Sequence, residues 1–384
     1  MAAAVIAKRS VDPEMAVPDP KRRLASDVEF VSRQEYTRMF RRGDTLGAGS
    51  TGVVIAMTST RFPRQQLAVK EIECSDFDEL ANGLDECETA LAVGRHPHLC
   101  TTLAALAVTG AVDGSGTFVL VMERAMGYTL YHHLRDTRQA KRQMDAGAVL
   151  AQCLAALAAV HAAGYAHCDV KPENLLLREL VRPGETPHLQ LCDFSSANVI
   201  DTDTGLFRDG LPNHDLCTAY YRAPECSLAV LLRVPTEVGS APPRLGQDIE
   251  MRCGDESLRV GAPMDVWAAA CVAVECLRDS PLFYEEENHE LMRAMLLQLG
   301  APQPEWPPAT HWLQRKRLLP ILRPSQACVK PVRAVLWDRL VGMEACTLNT
   351  LRSLLRWDPE ERPSAEQALE QLGRQPPTIK ILKD

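Results

Sequence analysis

The stretch His167-Cys168-Asp169-Val170-Lys171-Pro172-Glu173-Asn174, followed further along by Asp193-Phe194, sets three carboxylates, a lysine and an asparagine in a fixed order. That order suits phosphoryl chemistry. Asp169 is spaced to accept a proton from an attacking hydroxyl, Lys171 to screen phosphate charge, and Asn174 and Asp193 to offer oxygen ligands to Mg²⁺. Taken singly, each residue has a plainer reading, because an Asp or Asn near a strand-helix junction commonly caps or turns the chain. The joint spacing carries the chemical reading.

Working outward, Leu46-Gly47-Ala48-Gly49-Ser50-Thr51-Gly52-Val53-Val54 is a full G-x-G-x-x-G-x-V. Its glycines let backbone amides approach a phosphate with no Cβ in the way. A strand is predicted on each side, Val53–Ala56 after the loop and Leu67–Ile72 beyond a polar turn, whereas a dinucleotide fold would place a helix there. On this motif alone a glycine-rich hairpin turn fits equally well. Lys70 adds weight, because it follows Leu67-Ala68-Val69 on the next strand, where its ammonium can reach nucleotide phosphates. A lysine so placed needs an anionic partner from the following predicted helix, Leu80 to Val93. Glu88 is preferred for that role, with Leu91 and Ala92 on its inward face, and Glu86 is the alternative.

The remaining composition narrows the class. A chain of 384 residues with 46% hydrophobic and 24% charged residues can bury a large core. A net charge of -8 argues against a broad nucleic-acid-binding surface. Thirteen cysteines without a CxxC pair suggest neither a disulfide framework nor a zinc knuckle, and an intracellular, reducing location is expected, in the nucleus, the cytoplasm or both. Ala146 to Cys168 carries no Lys, Arg, Asp or Glu and is long enough to span a bilayer. Its alanine content and the helical spacing of Leu150, Cys153, Leu154, Leu157, Val160 and His161 read instead as a soluble helix ending at Gly164, so no membrane partner is expected.

Residues 1–38 are rich in proline and charge and are expected to be a flexible tail. Lys8-Arg9 and Lys21-Arg22-Arg23 fit either a bipartite nuclear import signal or a solvated charged tail. Leu103–Val108 and Phe118–Met122 read as a hairpin joined by a glycine-rich turn. After Gly127 the pattern is mostly helical, interrupted by a hairpin tip at 178–189 and by a loop-like insertion at 229–262 that offers a docking site for a partner.

These motifs, with Met122-Glu123-Arg124-Ala125, Ala223-Pro224-Glu225, Asp265-Val266-Trp267 and Arg362, together resemble a eukaryotic protein kinase over roughly residues 40–370. The resemblance implies an α+β, two-lobed protein kinase fold. Its first lobe, 39–126, would be a small antiparallel sheet plus one helix, and its second, 127–371, would be larger and mainly helical. Residues 372–384 would form a C-terminal tail. It implies protein substrates, ATP and Mg²⁺, with Asp169, Lys171, Asn174, Lys70 and Glu88 as the catalytic set and Asn174 and Asp193 as metal ligands. ATP would sit on residues 46–54, Lys70, Glu123 and Ala125, with its adenine sandwiched by Ala68, Val54 and Leu176. Glu225 would pair with Arg362. Lys171-Pro172-Glu173 resembles serine/threonine kinases, and Thr218–Glu225, Leu296–Pro302 and Leu354–Pro363 resemble the cyclin-dependent and MAP kinase group. There Arg222 would favour a proline after the acceptor. No cyclin-binding helix sequence is visible around residues 76–90. Small-molecule kinases of the aminoglycoside type share the His-x-Asp and Asn spacing but lack Ala-Pro-Glu.

Two positions depart from the family. Cys168 stands where most members carry the arginine that gathers an activation-loop phosphate, so independence from that modification is expected. Ser195 replaces the glycine after Asp193-Phe194, which predicts slower switching at that hinge. Both departures, with the 229–262 insertion, motivate the alternative of a weakly active or inactive scaffold.

Overall fold

A computed structural model describes residues 27–109, 116–135, 144–179, 187–208, 216–233, 252–253, 256–257, 259–278, 280–302, 306, 335–340 and 342–373. The chain is α+β and divides into two compact units. One holds the described residues up to Leu130 together with Leu175–Ala197, and the other holds Tyr131–Asn174 and the described residues from Asn198. The boundary expected at 126/127 is therefore incomplete, since Leu175–Ala197 returns to the first unit.

The first unit is built on a six-stranded sheet in the order β1-β5-β6-β4-β3-β2. The strands are β1 (Val28–Ser32), β2 (Phe40–Gly49), β3 (Gly52–Ser59), β4 (Gln66–Cys74), β5 (Thr102–Thr109) and β6 (Gly116–Glu123). β3 pairs antiparallel with β4, and β5 with β6, as apolar runs flanking turn-rich segments predict. Leu67 and Val69 of β4 join Ile55, Leu106, Val119 and Val121 in the core on one face, leaving Lys70 to the other. The helix α2 (Phe77–Ala92) follows β4, capped by Asp76, whose carboxylate accepts the Glu79 N–H at 2.8 Å.

The flexible-tail expectation fails for residues 28–38. β1 adds to the sheet parallel to β5, with Val28 opposite Ala105. It runs straight into α1 (Arg33–Met39), where Ser32 and Glu35 form a capping box and Tyr36 is buried. The apolar residues of this segment are too few to show a period, yet Val31 and Tyr36 complete the core on the outer face of the sheet. The sheet is thus not purely antiparallel, and it carries a second helix. Residues 1–26 lie outside the described residues.

Also in the first unit, β8 (Leu175–Leu177) and β9 (Leu189–Leu191) form the hairpin expected around 178–189, whose tip at 180–186 is outside the described residues. His96, His98 and His188 pack between this hairpin and the segment after α2, with ring centroids 5.7 and 5.0 Å apart in sequence. His96 Nδ1 accepts the His98 N–H, while its buried Nε2 finds no partner among the described residues. Burial, with His98 adding to it, holds the His96 imidazole down to about 4.

The second unit contains α3 (Leu130–Arg135, its first residue belonging to the first unit), α4 (Ala146–Ala162), β7 (Tyr165–Ala166), β10 (Asn198–Val199), α5 (Pro224–Arg233), β11 (Arg252–Cys253), β12 (Glu256–Ser257), α6 (Pro263–Arg278), α7 (Asn288–Leu299), α8 (Val335–Arg339), α9 (Ala345–Leu354) and α10 (Ala365–Gln371). α4 ends at Gly164, which takes φ +88°, and α6 is buried from Met264 to Cys276. No described helix is long and apolar enough to cross a membrane. The insertion is shorter than expected at both ends, because 229–233 continue α5 and 252–257 contain the paired strands β11 and β12. Residues 234–251 lie outside the described residues, as does most of the 372–384 tail.

Glu225 at the start of α5 and Arg362 form a fully buried bidentate ion pair at 2.6 and 2.7 Å. The remaining guanidinium donors reach the carbonyls of Pro263, Arg356 and Trp357, and the cation lies 4.9 Å from the Trp267 ring. Satisfaction of every donor is what makes such a burial tolerable.

Two measurements test this packing. Arg362→Ala leaves Glu225 buried and uncompensated and is expected to cost about 3–5 kcal/mol in denaturant unfolding. Because His96 is neutral in the fold and titrates near 6.5 when unfolded, its stabilising contribution is complete above that pH. Thermal stability is expected to fall as pH drops from about 6.5 toward about 4, and His96→Asn to flatten that window.

Candidate active site

The first unit carries the glycine loop. β2 and β3 meet at Ser50-Thr51, with Gly49 opposite Gly52 in register. Gly52 takes φ +144°, and a Cβ there would lie 2.3 Å from the Glu71 carbonyl oxygen, so only glycine fits the turn. Added Cβ atoms at Gly47 and Gly49 would meet nothing within 4 Å, which leaves their backbone open to a ligand.

On β4, opposite Val54 of β3, the Lys70 ammonium lies 2.6 Å from Glu86 Oε1 and 2.9 Å from Asp193 Oδ1. Burial opposes its charge, but the two carboxylates outweigh it and hold Lys70 above the usual lysine range. Burial raises the Glu86 carboxyl while Lys70 pulls it back, and at 2.6 Å we read the pair as ammonium and carboxylate. Glu86, not Glu88, is therefore the partner. It shares the buried face of α2 with Gly83, Leu84, Cys87 and Ala90. Glu88, like Leu91 and Ala92, is only half-buried, two residues and roughly 200° further round the helix.

The other expected nucleotide-binding residues, 46–54, Ala68, Glu123, Ala125 and Leu176, all belong to this unit. Ala68 is buried between Ala56 and Met122 across the sheet. Just after Ala125, the N–H groups of Met126 and Gly127 donate to the carbonyls of Arg178 and Leu177, which ties this segment to the strand bearing Leu176. Asp193 takes φ +68°, whereas Ser195 has no positive φ. In this conformation the left-handed residue is the aspartate, so serine at 195 is unstrained.

The second unit carries the loop His167–Asn174. The Asp265 carboxylate, at the start of α6, accepts the His167 N–H at 2.7 Å, the Cys168 N–H at 2.8 Å and His161 Nε2 at 2.8 Å. These bonds hold Cys168 in the left-handed region, φ +66°. Asp169 Oδ1 accepts the Thr218 hydroxyl at 2.8 Å and its N–H at 3.2 Å. Lys171 Nζ lies 2.6 Å from Asp169 Oδ2 and 3.0 Å from the same Thr218 hydroxyl. Asn174 Nδ2 donates to the Asp169 carbonyl and to Oδ2. Asp169, Lys171, Asn174 and Thr218 are thus gathered in one hydrogen-bonded group. Neither the role of Thr218 nor that of His161 was evident from spacing.

Cys168 is buried, its thiol donating to the Ala166 carbonyl at 3.5 Å and receiving the Asn198 amide at 3.9 Å. Burial, with Asp265 adding to it, pushes the thiol well above its ordinary range, so this position is an uncharged plug. Arg222, also buried, donates to the carbonyls of Leu216 at 2.8 Å and Cys217 at 2.9 Å and to Asn288 Oδ1 at 2.9 Å. Cys217 takes φ +63°.

The first unit thus holds a glycine turn and a buried Lys-Glu-Asp cluster, and the second an Asp-Lys-Asn loop held by Asp265. The protein kinase domain family matches residues 40–233, and the chain belongs to that family. The chain is 28% identical to the protein kinase gsk3 of Schizosaccharomyces pombe over 91% of its own length and 78% of that protein's. It is 25% identical to mitogen-activated protein kinase 17 of Oryza sativa subsp. japonica over 94% of its length, but spans only 53% of that relative. A chain from the structure of the CAK complex of Chaetomium thermophilum bound to ATP-γ-S has the same fold, with TM-score 0.61 and 20% identity over 88% of this chain and 91% of that one. These likenesses agree with the cyclin-dependent/MAP kinase resemblance.

Glu86→Gln is expected to reduce steady-state kcat/KM with ATP by about 10²-fold, the scale of losing one positioned electrostatic group, and Glu88→Gln to reduce it by less than about threefold.

Proposed function

We propose that the chain is a serine/threonine protein kinase that transfers the γ-phosphoryl group of ATP to a protein hydroxyl followed by proline, without a phosphate on its own activation segment. The observation that carries this reading is the Thr218 hydroxyl, 2.8 Å from Asp169 Oδ1 and 3.0 Å from Lys171 Nζ. It displays an aliphatic alcohol where a base and a screening cation can serve it, which is the demand of a serine or threonine acceptor.

The residues suit MgATP. Gly47 and Gly49 leave the loop amides accessible, and Lys70 is a fixed cation beside Asp193. Asn174 donates its amide nitrogen to Asp169, and its side-chain oxygen is the ligand type a hard cation takes. Bound Mg²⁺ would be held by Asn174 and Asp193 and would supply charge neutralisation for the phosphates. Asp169 orients the acceptor hydroxyl and takes its proton late, Lys171 screens the moving group, and Lys70 with the loop amides holds the nucleotide. The intact Lys70–Glu86 pair and the Asp169 network favour an active enzyme over a scaffold.

Proline preference follows from Arg222. It occupies the Leu216 and Cys217 carbonyls, so a backbone N–H arriving there would go unpaired, and proline has none. Independence from activation-segment phosphate follows from Cys168, a buried neutral thiol that has no cation to offer.

With a degenerate peptide library and ATP, proline after the acceptor is expected to be preferred by about tenfold or more, and Arg222→Ala to erode that preference. Asp169→Asn is expected to lower kcat by at least about 10²-fold with ATP affinity retained, and phosphatase treatment to leave activity intact. Equal use of peptides lacking the proline, or inactivation by phosphatase, would remove the corresponding part of the proposal.

A further inference from the structure

The geometry points to Tyr36, in the helix Arg33–Met39, as a positioning residue for Lys70 and the glycine turn that acts through Glu71. The family match begins at residue 40, so this segment lies outside it. Its fold role is nevertheless specific. Tyr36 is buried in the outer-face core, and its hydroxyl donates to Glu71 Oε1 at 2.7 Å. Burial and that carboxylate raise the Tyr36 hydroxyl far above the phenol range, so it stays a proton donor. Arg42 Nη1 reaches both Glu71 oxygens at 3.0 Å, binding β2 into the same cluster.

Glu71 is the residue after Lys70, with its side chain on the opposite face of β4. Its main chain is opposite Val53 of β3, and its carbonyl oxygen is the atom against which the Gly52 turn is packed. One residue thus connects α1, the glycine turn and the strand that aims Lys70. A shift of Glu71 displaces both nucleotide-binding elements together, whereas loss of packing elsewhere on the outer face need not. Tyr36 touches no nucleotide and acts only through Glu71.

This inference rests on the reading of the first unit as the ATP-binding half. The test uses the full chain: wild type, Tyr36→Phe, Glu71→Gln, the double variant, and Val31→Ala as a packing control on the same face. MgATP dissociation constants are measured by calorimetry and melting temperatures by scanning calorimetry. Tyr36→Phe, which keeps the ring, is expected to weaken MgATP binding about three- to tenfold, the scale of one hydrogen bond to a charged group. The double variant is expected to be no weaker than the worse single variant, as residues acting as one unit require. Val31→Ala is expected to melt lower with its MgATP affinity unchanged. Unchanged affinity in Tyr36→Phe, additive losses in the double variant, or an equal loss in Val31→Ala would each overturn the assignment. Wild type that binds no MgATP would overturn the kinase reading and this one with it, a result distinct from wild type and Tyr36→Phe that bind equally.

Discussion

The buried carboxylate of Asp265 is the constraint on which the catalytic loop depends. A carboxylate removed from water needs donors at most of its lone pairs, and here two come from consecutive backbone amides, His167 and Cys168, and a third from His161. Adjacent amides can point at one acceptor only if the chain turns sharply, which is why Cys168 sits at positive φ. That turn delivers Asp169 to Thr218. Asp265 itself is held by α6, whose burial on all sides gives it little room to move.

The second unit thus places its charges in a graded way. Deep inside, Glu225 and Arg362 are fully enclosed and their hydrogen-bonding capacity is spent on fixed partners. Nearer the surface, Asp169 and Lys171 are partly exposed and bond to each other, to the Thr218 hydroxyl and, for Asp169, to the Asn174 amide. Enclosed pairs set geometry, and accessible ones can exchange partners with a substrate.

Much of this was legible from residues alone. The glycine loop, Lys70, Asp169, Asn174 and Asp193 are recognisable because each demands a particular residue type at a fixed distance along the chain. The strands β3 to β6 were readable because short apolar runs bounded by turn residues need no partner to be seen. What escaped depended on partners distant in sequence or on helix phase. Glu86 and Glu88 differ only in which face of α2 they occupy, and an amphipathic helix with few large residues near its end does not fix that phase. β1 and α1 escaped because five residues on a parallel edge show no period, although the Ser32-x-x-Glu35 capping box was a usable local signal. In this conformation the unusual backbone angle belongs to Asp193 and not to Ser195, which composition does not reveal.

The pairing of β1 with β5 also fixes an order of events. Val28 and Ala105 are paired on neighbouring strands, yet α1, β2, β3, β4 and α2 lie between them along the chain. β1 has no template until β5 exists, so it must wait undocked while β2, β3, β4 and α2 are made. Once docked, it occupies the backbone donors and acceptors along the free side of β5. A five-residue strand bearing an exposed Glu29 then forms the sheet's border, which is a poorer template for a foreign strand than the longer apolar β5 would be.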